Sequence, residues 1–416
     1  MGWAAGRRRF VAAVAAVGVA ATVGVVAYRV LAPAEVSTFA RDDYPARSMP
    51  APGVTGRLPV APLIVDGRLR VYAAPRQVYA DQPVDSRSRR TPHWSFRRWP
   101  ASLDAVVASG TTVVSRWSDG QLVALDARTG RVVWRADGPE PASERTARRT
   151  GTAVVWRPSG LAVSRTFDGR RVVVSSGDSE VRAVDLTDGG QLWRAAIGAG
   201  CHQPVGTSAR GQLLSVDSCD GPTVIEFRDP ATGIVQVRWR PPDAGDELSA
   251  TLIGCAPGGA GCAALRTSGP GDASARGWLL GSGEPIPSTA LDDPGVELVD
   301  ETTVGMVDGA LVGRSATDDR QRWRVEVGPG RVIAVQPGRV HVLTEGNELV
   351  TLDPATGAQR SRFVLNIGSD GIGWAPGDAY AADGYVAVER LRRPVDPDGD
   401  DQRYYLTAEP LIIAAT

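Results

Sequence analysis

Four cysteines and three histidines are the residues whose chemistry is most distinctive in this chain, and their spacing favours crosslinks over catalysis. Cys201 and Cys219 stand symmetrically about Arg210. If Ala209, Arg210 and Gly211 form the turn of a hairpin, the two thiols face one another across antiparallel strands. Cys255 and Cys262 flank the turn sequence APGGAG in the same way. Facing Cβ atoms sit ~4.5–5.5 Å apart and a bridge needs ~3.5–4.5 Å, so a small local adjustment closes each pair. The expectation is Cys201 with Cys219, and Cys255 with Cys262, in an oxidising compartment. Zinc is the rival reading, but there is no C-x-x-C spacing and His202 is the only histidine nearby.

The search for a reaction centre ends without a candidate. His341 lies in the alternating run RVHVLT and reads as a strand residue, His202 adjoins an expected disulfide, and His93 closes a strand. No G-x-S-x-G, H-E-x-x-H or phosphate-cradling loop occurs. Gly189-Gly190 and Gly258-Gly259 belong to hairpin turns. The acidic run DPDGDD at 396–401 lacks the glutamate that closes a calcium loop and reads as a solvated turn. No catalytic, cofactor-binding or metal residue is assigned.

The elements that would carry any site are short strands. Residues 111–138 alternate apolar runs (Val113-Val114, then 122–125, then a run ending at Trp134) with turn signals at Asp119-Gly120 and Thr129-Gly130. One such sheet cannot bury both faces alone, and the plan recurs. Asp126, Gly130 and Trp134 are matched, at one common offset, by Asp185, Gly189 and Trp193. A third copy keeps Asp229 and Gly233, with Trp239 near the expected place. A fourth keeps Asp353 and Gly357, with Ser361 and Phe363 in the tryptophan region. A degenerate copy ending at Trp323 fills part of the interval. The aspartates precede their turns, where a carboxylate accepts backbone N–H groups. The tryptophans suit docking between neighbouring sheets.

The pattern A-x-D-x-x-T-G-x-x-x-W resembles the repeat of the PQQ-binding-like β-propeller family, which includes quinoprotein dehydrogenases and BamB-type scaffold proteins of bacterial envelopes. The resemblance implies an all-β fold: an eight-bladed propeller of four-stranded antiparallel blades, or seven-bladed as the alternative. The catalytic members hold PQQ with calcium in the central funnel, use an aspartate, and often carry a disulfide between adjacent cysteines. This chain has no adjacent cysteines and only two asparagines, Asn347 and Asn366. The non-catalytic, scaffold-like branch is therefore expected, with no cofactor. A PQQ- and calcium-dependent oxidoreductase and an extracytoplasmic sensing domain are the alternatives.

With 46 basic against 47 acidic residues the net charge is -1, so no global field attracts nucleic acid. Arg7, Arg8 and Arg9 precede an uncharged apolar run at 10–28, and Arg29 follows. About 20 apolar residues cross a bilayer, and the three arginines that precede the run are expected to stay on the cytoplasmic side. The expected organisation is a cytoplasmic tail at 1–9, an uncleaved transmembrane signal-anchor at 10–31 (a cleaved leader being the alternative), a Pro-rich stalk at 32–58 and a propeller at 59–416. Residues 59–65 are the candidate for the strand that closes the ring, since closure removes an exposed edge. The location is the cell membrane, single-pass, with the propeller outside the cytoplasm. A protein or cell-wall component is the expected partner, met through the irregular loops at 139–150 and 394–402. The sequence does not define an oligomeric state.

Overall fold

The computed structural model describes residues 18–19, 21–24, 34–142, 151–166, 168–242, 244–256, 260–269, 275–281, 283–365, 374–391 and 406–416, the last segment largely by backbone. Among them the fold is all-β: repeated antiparallel sheets arranged like a β-propeller. Among the described residues eight sheets are present, seven of four strands and one of five. Sheet 1 runs from Pro62–Val65 to Trp94–Trp99, sheet 2 from Leu103–Ser109 to Val132–Asp137, and sheet 3 from Leu161–Arg165 to Gln191–Ala196. Sheet 4 runs from His202–Thr207 to Val235–Trp239, sheet 5 from Ser249–Ile253 to Ile286–Pro287, and sheet 6 from Glu297–Val299 to Gln321–Glu326. Sheet 7 spans Gly330–Gln336 to Gln359–Val364. Sheet 8 takes Ala375–Ala382, Tyr385–Leu391 and Leu406–Ala415.

Each sheet is too small to bury its faces alone, and the core is divided accordingly. One apolar cluster joins sheet 2 (Val107, Val114, Leu122) to sheet 3 (Val173, Val184, Leu186). Equivalent clusters join each later sheet to the next, from sheets 3 and 4 to sheets 7 and 8. The largest cluster unites Tyr380 and Ala387 of sheet 8 with Leu69 and Val71 of sheet 1 and Val113 and Leu125 of sheet 2. The chain of cores thus returns to its start.

The segment expected to be a free stalk does not run free. Gly53–Leu58 pairs with the C-terminal strand and completes sheet 8. Ala34–Thr38 adds a fifth, outer strand to sheet 1 through pairing with Trp94–Trp99. Edge strands need no apolar face of their own, which is why their short, Pro-flanked sequences carry little pattern. The closing strand is therefore 53–58, and Pro62–Val65 is instead the innermost strand of sheet 1. The first strand of the last sheet is Ala375–Ala382.

Most of the expected membrane anchor lies outside the described residues; 18–19 and 21–24 are helical and exposed. Among the described residues no helix is long and apolar enough to cross a membrane.

Candidate functional site

The repeat residues are where the sheets fasten to one another. Asp126, Asp185, Asp229 and Asp353 each accept a backbone N–H two residues on, at 2.9, 2.7, 2.9 and 2.9 Å. Gly130, Gly189, Gly233 and Gly357 then turn the chain with φ between 70° and 75°, a region that glycine enters without penalty. The indole of the preceding sheet lies on that glycine: a Cβ on Gly189 would sit 2.7 Å from Trp134, and one on Gly233 2.5 Å from Trp193. The indole N–H donates to the carbonyl just after the aspartate. Trp134 reaches Leu186 at 2.8 Å, Trp193 reaches Pro230 at 2.8 Å, and Trp323 reaches Pro354 at 2.9 Å. A β-bulge one residue before Trp134 and Trp193 aims each ring out of its own sheet. Burying an indole removes ~150–250 Å² from water, at most roughly 4–6 kcal/mol, against about 1 kcal/mol for the hydrogen bond. Burial holds the clasp and the hydrogen bond sets its register.

Two clasps depart from the sequence reading. Trp94, at the start of the fourth strand of sheet 1, just inside Ala34–Thr38, donates to Ala127 at 2.7 Å and faces Gly130; its place in a divergent repeat hid it. Trp239 meets Trp278 edge to face at 4.9 Å, because sheet 5 lacks the usual aspartate turn. Arginines provide a second fastening that carried no sequence signal. Arg116, almost wholly buried, pairs with Asp104 and donates to the carbonyls of Ser159, Gly160 and Ser176 of the next sheet.

The innermost strands surround a channel, and its middle is filled. After Gly151 a single helical turn, α1 (Thr152–Val155), leads Trp156 into the interior. The Trp156 ring stacks on Tyr380 of sheet 8 at 5.7 Å with 7° between planes. Its N–H donates to Pro62 O of sheet 1 at 2.8 Å, and Arg157 pairs with Asp378 at 3.2 Å. Burial pushes the Tyr380 hydroxyl pKa well up. Sequence reading placed a loop at 139–150, of which 143–150 lie outside the described residues. It did not anticipate that the segment following it crosses the channel.

On one side of this plug the turns joining first to second strands form a funnel of about 660 Å³, walled by Val65, Val107, Val163 and Ala382. Arg47 at its rim pairs with Asp66 at 3.4 Å and lies 4.0 Å from Asp383. Arg165 and Arg171 also line it, and neither guanidinium is paired among the described residues. On the other side a chamber of about 290 Å³ opens between sheets 3 and 4, bounded by Trp156, Leu161, Leu214, His202 and Arg228. Beside it Glu226 pairs with Arg228 at 3.1 Å and Arg238 at 2.8 Å, with His202 Nε2 at 3.5 Å. The imidazole and the two guanidiniums hold the Glu226 carboxyl down to about 2 against the opposing effect of burial.

Both expected disulfides are present, with Cα atoms 5.0 Å apart for Cys201–Cys219 and 3.9 Å for Cys255–Cys262. The second docks on sheet 4, Cys262 N–H donating to Thr207 O at 2.8 Å. His341 is a buried strand residue: Gln336 contacts Nε2 at 2.9 Å and Thr351 contacts Nδ1 at 3.0 Å. Burial, with Arg339 nearby, lowers its pKa to about 3. His93 holds the Arg128 carbonyl at 3.2 Å. The acidic run at 396–401 lies outside the described residues. Among those described, no three His, Cys, Asp or Glu side chains are grouped to hold a metal.

A family model described as "Outer membrane protein assembly factor BamB" matches residues 51–239. Solved structures with a similar chain path include BamB from Moraxella catarrhalis (TM-score 0.45, 13% identity, covering 88% of this chain and 98% of that one). Another is the C-terminal WD40 domain of Sif2 (TM-score 0.48, 11% identity, 89% and 99%). No curated protein matches the sequence. The chain carries the PQQ-like β-propeller repeat, and its residues 51–239 match the BamB family.

Proposed function

We propose that this chain is a non-catalytic binding module: an eight-bladed propeller, held at the outer face of a membrane by the apolar run at 10–28, that presents its funnel face to a protein or cell-envelope partner. The observation that carries the reading is the Trp156–Tyr380 stack in the channel. A ring plugged by packed aromatic side chains is stiff at its centre and offers its faces and loops for contact. The funnel rim supplies Arg165 and Arg171, unpaired among the described residues and suited to acidic side chains on a partner. Two disulfides favour an oxidising location, and the arginines at 7–9 favour an outward-facing propeller.

The residues of the funnel do not fit PQQ with calcium. Among the described residues its two carboxylates, Asp66 and Asp383, both lie against Arg47, and Trp156 fills the middle of the channel. The test is a titration of the full chain with PQQ and calcium, read by absorbance and by dye-linked alcohol oxidation. The binding-module reading expects neither a new absorbance band nor turnover. A stoichiometric band accompanied by turnover overturns it.

A further inference from the structure

The strand that enters the propeller first sets which way its funnel can face. In sheet 1, Pro62–Val65 runs towards the funnel, because Val65 and Asp66 line it. Each later strand of that sheet is antiparallel to the one before, so Trp94–Trp99 runs away from the funnel and ends at the opposite face. Ala34–Thr38 is antiparallel to Trp94–Trp99, with Ala34 opposite Trp99 and Thr38 opposite Ser95. The chain therefore enters at the face remote from the funnel and climbs towards it. The residues that follow keep that direction: Tyr44 donates to Asp66 at 3.4 Å, and Arg47 reaches the same carboxylate at the funnel rim. Glu35 pins the entering strand, pairing with Arg98 of sheet 1 at 3.2 Å and with Arg135 of sheet 2. Little chain is left to turn the ring over. From Tyr28, where the apolar run ends, to Ala34 is a step of six residues, and these reach at most ~20 Å when fully extended.

Charge at the entry end agrees with that placement. Arg97 is exposed there and unpaired among the described residues, and the Arg76 guanidinium lies 3.8 Å over the Trp99 ring. The carboxylates nearest them, Glu35 and Asp119, are both engaged by Arg98. The corresponding turns of sheets 3, 4, 6 and 7 instead expose Asp178, Asp220, Asp308 and Glu345. Arginine close to a bilayer is drawn to anionic headgroups, and tryptophan favours the interface between lipid and water. An anionic surface attracts the end of sheet 1 and repels the acidic turns, so the ring tips onto sheet 1. We propose that this end is a lipid-facing foot: Arg76, Arg97 and Trp99 rest on anionic headgroups, and the funnel opens away from the bilayer. This orientation rests on the reading of residues 10–28 as a membrane anchor. A partner that meets the funnel then arrives from the aqueous side and not from within the membrane.

The full chain is reconstituted into phosphatidylcholine vesicles, with or without phosphatidylglycerol, that carry an acceptor dye on the lipid headgroups. A fluorescent donor amino acid replaces Ser102, exposed at the entry face, or Ala209, exposed on the funnel lining. Energy transfer from position 102 is expected to exceed that from 209 by about twofold or more, since strands of this length set the two faces ~20 Å apart. Arg97→Glu is expected to lower transfer from 102 in vesicles with phosphatidylglycerol and to leave it unchanged in those without. Arg97 is exposed, so the fold tolerates the change. Equal transfer from the two positions, or more from 209, in a chain that floats with the vesicles overturns the proposal and leaves the anchor standing. So does unchanged transfer in a floating Arg97→Glu chain with phosphatidylglycerol present. A chain that fails to float with either kind of vesicle overturns the anchored reading, and this proposal with it.

Discussion

The indole N–H of Trp134 donates to the carbonyl of Leu186, 2.8 Å away in the next sheet, while its ring lies against Gly189 of the same turn. The two residues belong to different repeats, so the contact transmits register from one sheet to its neighbour. Its recurrence at Trp94, Trp193 and Trp323 makes it the rule by which this chain assembles.

Gly189→Ala is expected to destabilise the chain by about 2–4 kcal/mol. Its φ of 74° is strained for alanine, and the new Cβ would stand 2.7 Å from Trp134. Gly283→Ala, with no atom within 4 Å of the added Cβ, is expected to change stability by under about 0.5 kcal/mol. Urea titrations followed by circular dichroism compare the two, and equal midpoints would refute the clasp.

Arg116→Met is expected to cost about 3–5 kcal/mol, because it strands Asp104 together with three carbonyls of the Ser159–Ser176 region. Arg324→Met, at an exposed pair with Glu326, is expected to cost no more than about 1 kcal/mol. Thermal melts of the two variants rank them, and a small loss for Arg116 would contradict its role as a fastening between sheets.

Acid is expected to weaken the fold through two groups of the same sign. The pKa of His341 is lowered from 6.5 to about 3, so the unfolded chain binds its proton first and stability falls as pH drops below 6.5 towards 3. Glu226 is lowered from 4.5 to about 2, so its contribution is full above 4.5 and is lost as pH falls towards 2. Each proton sets a limit of about 1.4 kcal/mol per pH unit. Replacing His341 by Gln should flatten the slope between pH 6.5 and about 3, leaving below pH 4.5 the loss that belongs to Glu226. An unaltered slope in denaturant midpoints across that range would contradict the buried, neutral imidazole.

Reduction of Cys201–Cys219 is expected to lower stability by about 3 kcal/mol, the value for closing a loop of this size. A Cys201→Ser, Cys219→Ser chain tests this, and unchanged stability would show that the bridge constrains nothing.

What the sequence made legible follows from where the information is local. The turn at Asp126 to Gly130 and its copies need particular residues at fixed spacing, so the repeat, the all-β class and the tryptophan clasp were readable. The two disulfides were readable because each spans one hairpin. What was hidden depends on distant partners. Gly53–Leu58 and Ala34–Thr38 are strands only because a sheet edge elsewhere accepts them. Trp156 has meaning only against Tyr380, which lies far along the chain.

If the funnel face is where a partner binds, crosslinking from a position on that face captures the partner. A photoreactive amino acid placed at Ala209, on the funnel lining, is compared with one at Val364, exposed on an outer strand. Both are expressed as full chains in their native membranes. A discrete, saturable protein adduct from position 209 that is absent from 364 is the expected result. Adducts from 364 with none from 209 would contradict the account.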